Sequence, residues 1–327
     1  MMQLETTFRA IDEPQPGEAL AAIYSEYAPA YRRWFMREGE AARPALAQSR
    51  QMLRDHMPEL AILHEDLCDL VGAGHLDARL LALYRPPPMV RGCSQAAVVR
   101  DGRAALVRNY DHAPHLCDAV ILRARWLGVG TIVSTDCLWG ALDGVSDAGL
   151  AVALAFGGDR ATGDGFAASL VVRYLLQTCD SVAAASAALS RLPVAMPYTF
   201  ALLDAAGRGA TVHVGPGRAA RVTDTPVSTN HQDAVAWPAY ERFVESCARH
   251  EYLSALLHNP ESSLEAIIAR FLDPPLFRTQ WSRGSGTLYT LVCEPSAGTA
   301  RYVWPQCERS YGFAAFAPEA FTVTYRA

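Results

Sequence analysis

Arg85-Pro86-Pro87-Pro88-Met89-Val90-Arg91-Gly92-Cys93-Ser94-Gln95 is where the pattern of this 327-residue chain changes. Three successive prolines cannot continue a helix and hold the backbone extended. Before them the apolar residues recur at three- and four-residue steps, the helical period. That period predicts helices over 18–38, over 45–73 around Leu53, Met57, Leu60, Leu63 and Leu67, and over 77–84. Pro58 inside the second stretch predicts a break or a kink there. After the prolines the period becomes that of strands. Segments 96–100 and 104–109 flank Asp101-Gly102, a hairpin signal. The boundary therefore divides a helical segment, 1–92, from a domain spanning 93–327.

Beyond the hairpin, strands are predicted over 119–126, 131–135 and 150–156, and then helices over 166–178 and 181–192, the latter capped by Asp180 or Ser181. A second hairpin, 198–203 and 210–214, turns at Asp204-Ala205-Ala206-Gly207. Helices over 238–257 and 262–272 and strands over 287–293 and 300–304 complete the order. Strand groups alternating with helix pairs predict an α+β layered sandwich with largely antiparallel sheets.

Composition removes several kinds of chemistry. All 29 basic residues are arginine, and lysine is absent. Schiff-base, P-loop and Ser–Lys mechanisms, which need an ammonium, are therefore excluded. A formal net charge of −5 with dispersed arginines predicts no nucleic-acid partner. The eight cysteines form no C-x-x-C pair, which predicts neither a zinc ribbon nor a disulfide framework, and no metal or cofactor is expected. No apolar run reaches the ~20 residues of a membrane span, and no signal-peptide pattern opens the chain. The expected location is the reduced cytoplasm.

Cys93 is the reactive candidate. A glycine before it leaves the Gly92 carbonyl open to attack by the Cys93 thiol. The resulting thioester, once hydrolysed, frees an α-amine on Cys93. Such an amine has a reference pKa of ~7.7–8.0, suited to a general base. The hairpin returns Arg108 and Asp111 towards Cys93, where they can orient the amine and thiol. Asn230, in Thr229-Asn230-His231, offers an amide donor to an oxyanion. His231 could instead form a dyad with Cys93 or Cys137. Asp111-His112-Ala113-Pro114-His115 lacks a well-spaced third metal ligand. Trp139, Phe156, Tyr198, His231 and Tyr289 are candidate substrate-pocket residues.

Five motifs occur in order: GCSQ at 92–95, RNYD at 108–111, DGVSDAGL at 143–150, TNHQ at 229–232 and SRGSGTLYT at 282–290. Together they resemble peptidase family C45, the acyl-coenzyme A:6-aminopenicillanate acyltransferase-like N-terminal-nucleophile (Ntn) hydrolases. The resemblance implies a four-layer αββα sandwich after a helical prosegment, cut between Gly92 and Cys93, that stays associated. It matches Cys93 to the nucleophile, Arg108 and Asp111 to the residues beside it, Asn230 to the oxyanion asparagine and Arg283 to an active-site arginine. Ser146 stands where relatives often carry asparagine, so the asparagine's role does not carry over and Ser146 itself is the candidate substrate-binding residue there. The implied substrate is a small acyl amide or an acyl-coenzyme A-type thioester. Homo-oligomers are possible.

Overall fold

The computed structural model describes residues 3–326. The elements run β1 (Gln3–Asp12), α1 (Glu18–Phe35), α2 (Leu46–His56), α3 (Pro58–Leu70), α4 (His75–Leu81), β2 (Gly92–Arg100), β3 (Arg103–His112), β4 (Val120–Ala124) and β5 (Thr131–Asp136). Next come β6 (Gly140–Ser146), β7 (Leu150–Phe156), α5 (Ala168–Thr178), α6 (Val182–Arg191), β8 (Tyr198–Asp204), β9 (Gly209–Gly215), β10 (Arg218–Thr223) and β11 (Val227–Ser228). The chain continues with α7 (Pro238–Val244), α8 (Ser246–His258), α9 (Leu264–Arg270), β12 (Gly286–Glu294), β13 (Thr299–Trp304), β14 (Cys307–Gly312) and β15 (Glu319–Arg326).

Two sheets form. One has nine strands in the order β10-β9-β8-β7-β6-β5-β4-β1-β15, the other six in the order β11-β2-β3-β12-β13-β14. Strands β2 and β3 face β7 and β8 across the interior. Helices α5 and α6 cover the outer face of the larger sheet, while α8 and α9 cover that of the smaller. The layers are thus αββα. Alternation along the strands feeds two cores. Ala96, Val98, Ala105 and Val107 pack with Leu253, Leu264, Ile267 and Phe271 under the helices. Leu106 and Tyr110, on the other face of β3, join the larger core.

The local signals explain most element ends. Pro58 sits at the first turn of α3, where its missing N–H costs nothing, so the predicted long helix is two. Ser181 caps α6 and Ser263 caps α9, each accepting a backbone N–H. Asp101 and Gly102 both take positive φ, as the tight hairpin requires. Glu245, at φ 53°, breaks the single helix expected over 238–257 into α7 and α8.

One expectation is corrected. The segment before Cys93 is not purely helical, because β1 lies inside the larger sheet. It pairs antiparallel with β15 and parallel with β4. Its alternation is masked by polar Glu5, Thr6, Thr7 and Arg9, and its pairing is decided by β15, more than 300 residues away. Helices α2 and α3 rest beside α5 and α6, where Arg191 donates to the His56 carbonyl at 2.6 Å and Tyr174 to Glu59 at 3.4 Å. Among the described residues no helix is long and apolar enough to cross a membrane.

Candidate active site

Residues 85–91, between α4 and β2, run as an extended strap. Its prolines lack donors, the Arg85 N–H reaches the Gly165 carbonyl at 2.8 Å and the Met89 N–H the Met196 sulfur at 3.4 Å, and several of its carbonyls are held by side chains from elsewhere. Arg43 donates to the Arg85 carbonyl at 2.5 Å and Arg37 to that of Pro88 at 2.8 Å. The Arg91 carbonyl accepts from Asn230 Nδ2 at 3.2 Å and from the Tyr240 hydroxyl. Gly92 then begins β2 opposite Asp111. A Cβ there would stand 3.0 Å from the Asp111 Cβ and 3.1 Å from Oδ2, so the close approach favours glycine.

Cys93 is buried at the start of β2. Its backbone N–H donates to Asn230 Oδ1 at 2.7 Å, and its Sγ accepts from Arg108 Nη2 at 3.2 Å. Strand alternation explains the division of labour. Arg108 and Tyr110 face between the sheets with the thiol, whereas Ser94 and Asp111 face α8. Asp111 Oδ2 accepts from Arg249 Nη1 at 2.8 Å and Oδ1 from Thr287 at 2.8 Å. Arg249 also donates to Ser94 at 2.7 Å and to Asn230 Oδ1 at 3.0 Å. The structure therefore brings Cys93, Arg108, Asp111 and Asn230 together.

Two buried ion pairs frame the cysteine. Arg249 with Asp111 ties the smaller sheet to α8, and Arg108 with Asp143 of β6 ties the two sheets. Tyr289 donates to Asp143 at 3.0 Å, and Arg108 Nε donates to the Leu154 carbonyl at 3.0 Å. Further hydrogen bonds satisfy most of these buried charges, though Asp143 Oδ1 and Arg249 Nε are left without a partner. Burial pushes the Cys93 thiol above its ordinary pKa, Arg108 opposes that, and Asp111 adds to it. Burial likewise raises the Tyr240 hydroxyl, with nearby Cys93 adding to the effect, so it remains a donor.

Other sequence candidates separate into neighbours and outsiders. Phe156 and Tyr198 line the cavity beside Cys93, and Tyr289 supports Arg108 through Asp143. Ser146 Oγ instead accepts the Leu150 N–H at 3.3 Å within a turn. Trp139 donates to the Leu81 carbonyl at 2.9 Å, fastening the β5–β6 turn to α4. His231 is within 2.7 Å of Ser246 and stacks edgewise on His250, with neither cysteine among its partners.

Arg283 is a correction. It stands exposed in the short 3-10 turn Trp281–Arg283, and the arginine that reaches Asp111 and Asn230 is Arg249. The SRGSGTLYT motif contributes Thr287 and Tyr289 through β12, while its arginine precedes the strand. Arg249 had a readable signal: Ser246, Arg249 and Leu253, at three- and four-residue steps, form the buried stripe of α8. Tyr240 and Asp143 carried no signal beyond their positions in α7 and in a motif.

The chain matches the family model described as acyl-coenzyme A:6-aminopenicillanic acid acyl-transferase over residues 98–309. That span holds Arg108, Asp111, Asp143, Asn230, Tyr240 and Arg249, and begins just after Cys93. No curated protein matches the chain significantly. Among solved structures, a point mutant of conjugated bile acid hydrolase from Clostridium perfringens is 13% identical, with a TM-score of 0.49 over 70% of this chain and 96% of that one. The Caenorhabditis elegans ortholog of N-acylethanolamine-hydrolyzing acid amidase is 15% identical, with a TM-score of 0.47 over 62% and 93%. Penicillin V acylase from Agrobacterium tumefaciens is 13% identical, with a TM-score of 0.46 over 70% and 90%. With the family model covering well over half of its length, the chain belongs to the acyl-coenzyme A:6-aminopenicillanic acid acyl-transferase family.

Proposed function

We propose that this chain is a self-processing cysteine amidohydrolase or acyltransferase of the Ntn type, acting through an acyl-Cys93 intermediate. One observation carries the reading: Cys93, second residue of β2, has its nitrogen on Asn230 Oδ1 and its sulfur on Arg108. Both atoms needed for N-terminal nucleophile chemistry already have charge-stabilising partners before any cut.

In the first reaction, the Cys93 sulfur attacks the Gly92 carbonyl carbon. The Gly92–Cys93 C–N bond breaks, and its nitrogen takes up a proton to become an amine. Water then hydrolyses the Gly92 thioester, leaving a carboxylate on Gly92 and a free thiol on Cys93. In turnover, the new amine accepts the thiol proton, and the thiolate attacks a substrate carbonyl. Arg108 stabilises the thiolate. Asn230 Nδ2 and the Tyr240 hydroxyl, freed once the Arg91 carbonyl leaves, hold the oxyanion. Asp111 and Arg249 keep Asn230 and the amine in place. The ammonium proton passes to the departing nitrogen, and water or an acceptor amine or thiol takes the acyl group. Hydrolysis and transfer differ only in that last acceptor.

Residues 1–92 remain attached after the cut because β1 is paired on both sides within the larger sheet. A Cys–His dyad has no support in the geometry, since His231 is turned towards Ser246. An uncleaved ligand-binding role is the competing reading.

The test is the intact mass of wild-type protein beside Cys93→Ala, with turnover of acyl amides and thioesters. The expected result is two wild-type fragments, the larger beginning at Cys93, and one inactive 35.5 kDa chain in the variant. A folded, uncut wild type would overturn self-processing. Turnover surviving in Cys93→Ala would overturn the nucleophile.

A further inference from the structure

With the strap in place, the cavity beside Cys93 measures about 20 Å³, room for no more than one water. Met89 and Arg91 of the strap form part of its wall; Leu142, Leu154, Phe156, Tyr198 and two alanines of the α5 start form its apolar part, and Ser169 adds a hydroxyl. No acyl group fits until Met89 and Arg91 withdraw. Turnover at Cys93 therefore entails their departure.

That departure has an electrostatic consequence. The Arg91 side chain, 10% exposed, donates through Nη2 to Asp136 Oδ1 at 2.8 Å and lies over the Tyr110 ring at 5.8 Å. Asp136, 1% exposed, also lines the cavity, and Arg91 is its ion-pair partner. The second oxygen of Asp136 accepts from the Cys137 thiol at 3.2 Å, and burial, with nearby Asp136 adding, raises the Asp118 carboxyl to about 7. Arg108, the other cation on the cavity wall, is committed to Asp143. Withdrawal of the strap thus leaves a buried carboxylate, backed by a second one, in a pocket with apolar walls. A buried charge whose partner is removed is strongly unfavourable, so the pocket favours a ligand that supplies the missing cation.

We propose that the acyl pocket of the matured enzyme selects acyl groups bearing a guanidinium or ammonium, bound by Asp136 in the place that Arg91 fills before the cut. The segment ahead of the scissile bond is then an internal template of the substrate's acyl side. This inference rests on the proposed reaction at Cys93 and narrows its substrate class from acyl amides in general to cationic ones.

The experiment uses protein whose cleavage before Cys93 has been verified by mass. Nα-acetyl-arginyl-glycine p-nitroanilide and its norleucyl counterpart are compared on wild type and on Asp136→Asn. The expected result is a preference for the arginyl substrate of about tenfold or more in kcat/KM, collapsing towards unity in the variant. Equal kcat/KM in wild type, or a preference unchanged in Asp136→Asn, overturns the proposal. Because Asp136→Asn can fail to fold or mature, binding is also read on wild type alone. Butylguanidinium should raise the Tm of the matured protein, and the uncharged isostere butylurea should not. The uncut Cys93→Ala chain, with Arg91 seated, should show no shift with either. Equal shifts from the two probes on matured wild type overturn the proposal even if neither anilide is turned over. An absent cut, or turnover that survives Cys93→Ala, is by contrast a failure of the Cys93 reading and is scored separately.

Discussion

β1 and the strap both precede Cys93, yet they are fastened by different physics. β1 has neighbours on both sides, β15 and β4, and buries Phe8 against Phe321, Trp304 and Tyr289. Its attachment is a continuous ladder plus aromatic core, which no single bond controls. The strap is fastened at points: carbonyls on Arg43, Arg37, Asn230 and Tyr240, and one guanidinium on Asp136. A ladder survives the loss of one covalent bond at its far end. A set of point contacts, several of them polar and close to the cut, can be exchanged for contacts with a substrate. Under the proposed cut before Cys93, one segment would combine a permanent anchor with a removable plug.

The comparison breaks most readily at Phe8. Phe8→Ala should destabilise by about 3–5 kcal/mol, since Phe8 is 1% exposed and its cavity would be walled by rigid strands. The loss should be similar in the uncut chain and in the matured protein, as read by denaturant titration of each. An effect confined to the uncut chain would mean that β1 leaves after cleavage. The next effect is that of Arg91→Met, which strands Asp136. It should cost about 3 kcal/mol in the Cys93→Ala background, where the strap is seated. In the matured protein it should cost little. Equal losses in both would show that the strap stays closed, contrary to the division drawn here.

The smallest effect concerns pH. His112 lies beside the strap, and burial, with Arg91 adding, pushes its pKa down to about 3. A histidine kept neutral in the fold, but protonated when unfolded below its ordinary 6.5, favours unfolding as pH falls. Its contribution is therefore fully present above about pH 6.5 and is lost progressively towards pH 3. The uncut chain should show a steeper fall in Tm between pH 7 and 5 than His112→Gln does. Because Arg91 contributes to the depression, the matured protein should show a shallower one. Identical slopes in the two forms would remove Arg91 from the account.

Much of this arrangement is legible in the sequence, and the exceptions have physical reasons. The β2–β3 hairpin follows from Asp101-Gly102, and β7 from an unbroken apolar run over 150–156. By contrast β6, Gly-Ala-Leu-Asp-Gly-Val-Ser, has three residues of low strand propensity and is a strand because β5 and β7 hold it from both sides. Arg108 and Asp111 could be placed beside Cys93 because hairpin register is local. Asn230 has no such local argument, and its placement relied on a motif. Arg283 was expected from a motif too, but the turn before β12 points it to solvent while α8 delivers Arg249.

By itself the sequence determined what is local or compositional. The absence of lysine limits the chemistry, the triple proline forces an extended segment, and Gly92-Cys93 places an open carbonyl before a thiol. The two-residue turn fixes which side chains share a face with Cys93. Tertiary structure alone decided the pairing of β1 with β15, the choice of Arg249 over Arg283 and the meeting of Arg91 with Asp136. Each joins positions far apart in the chain, so its energy depends on burial and on partners that no local period encodes.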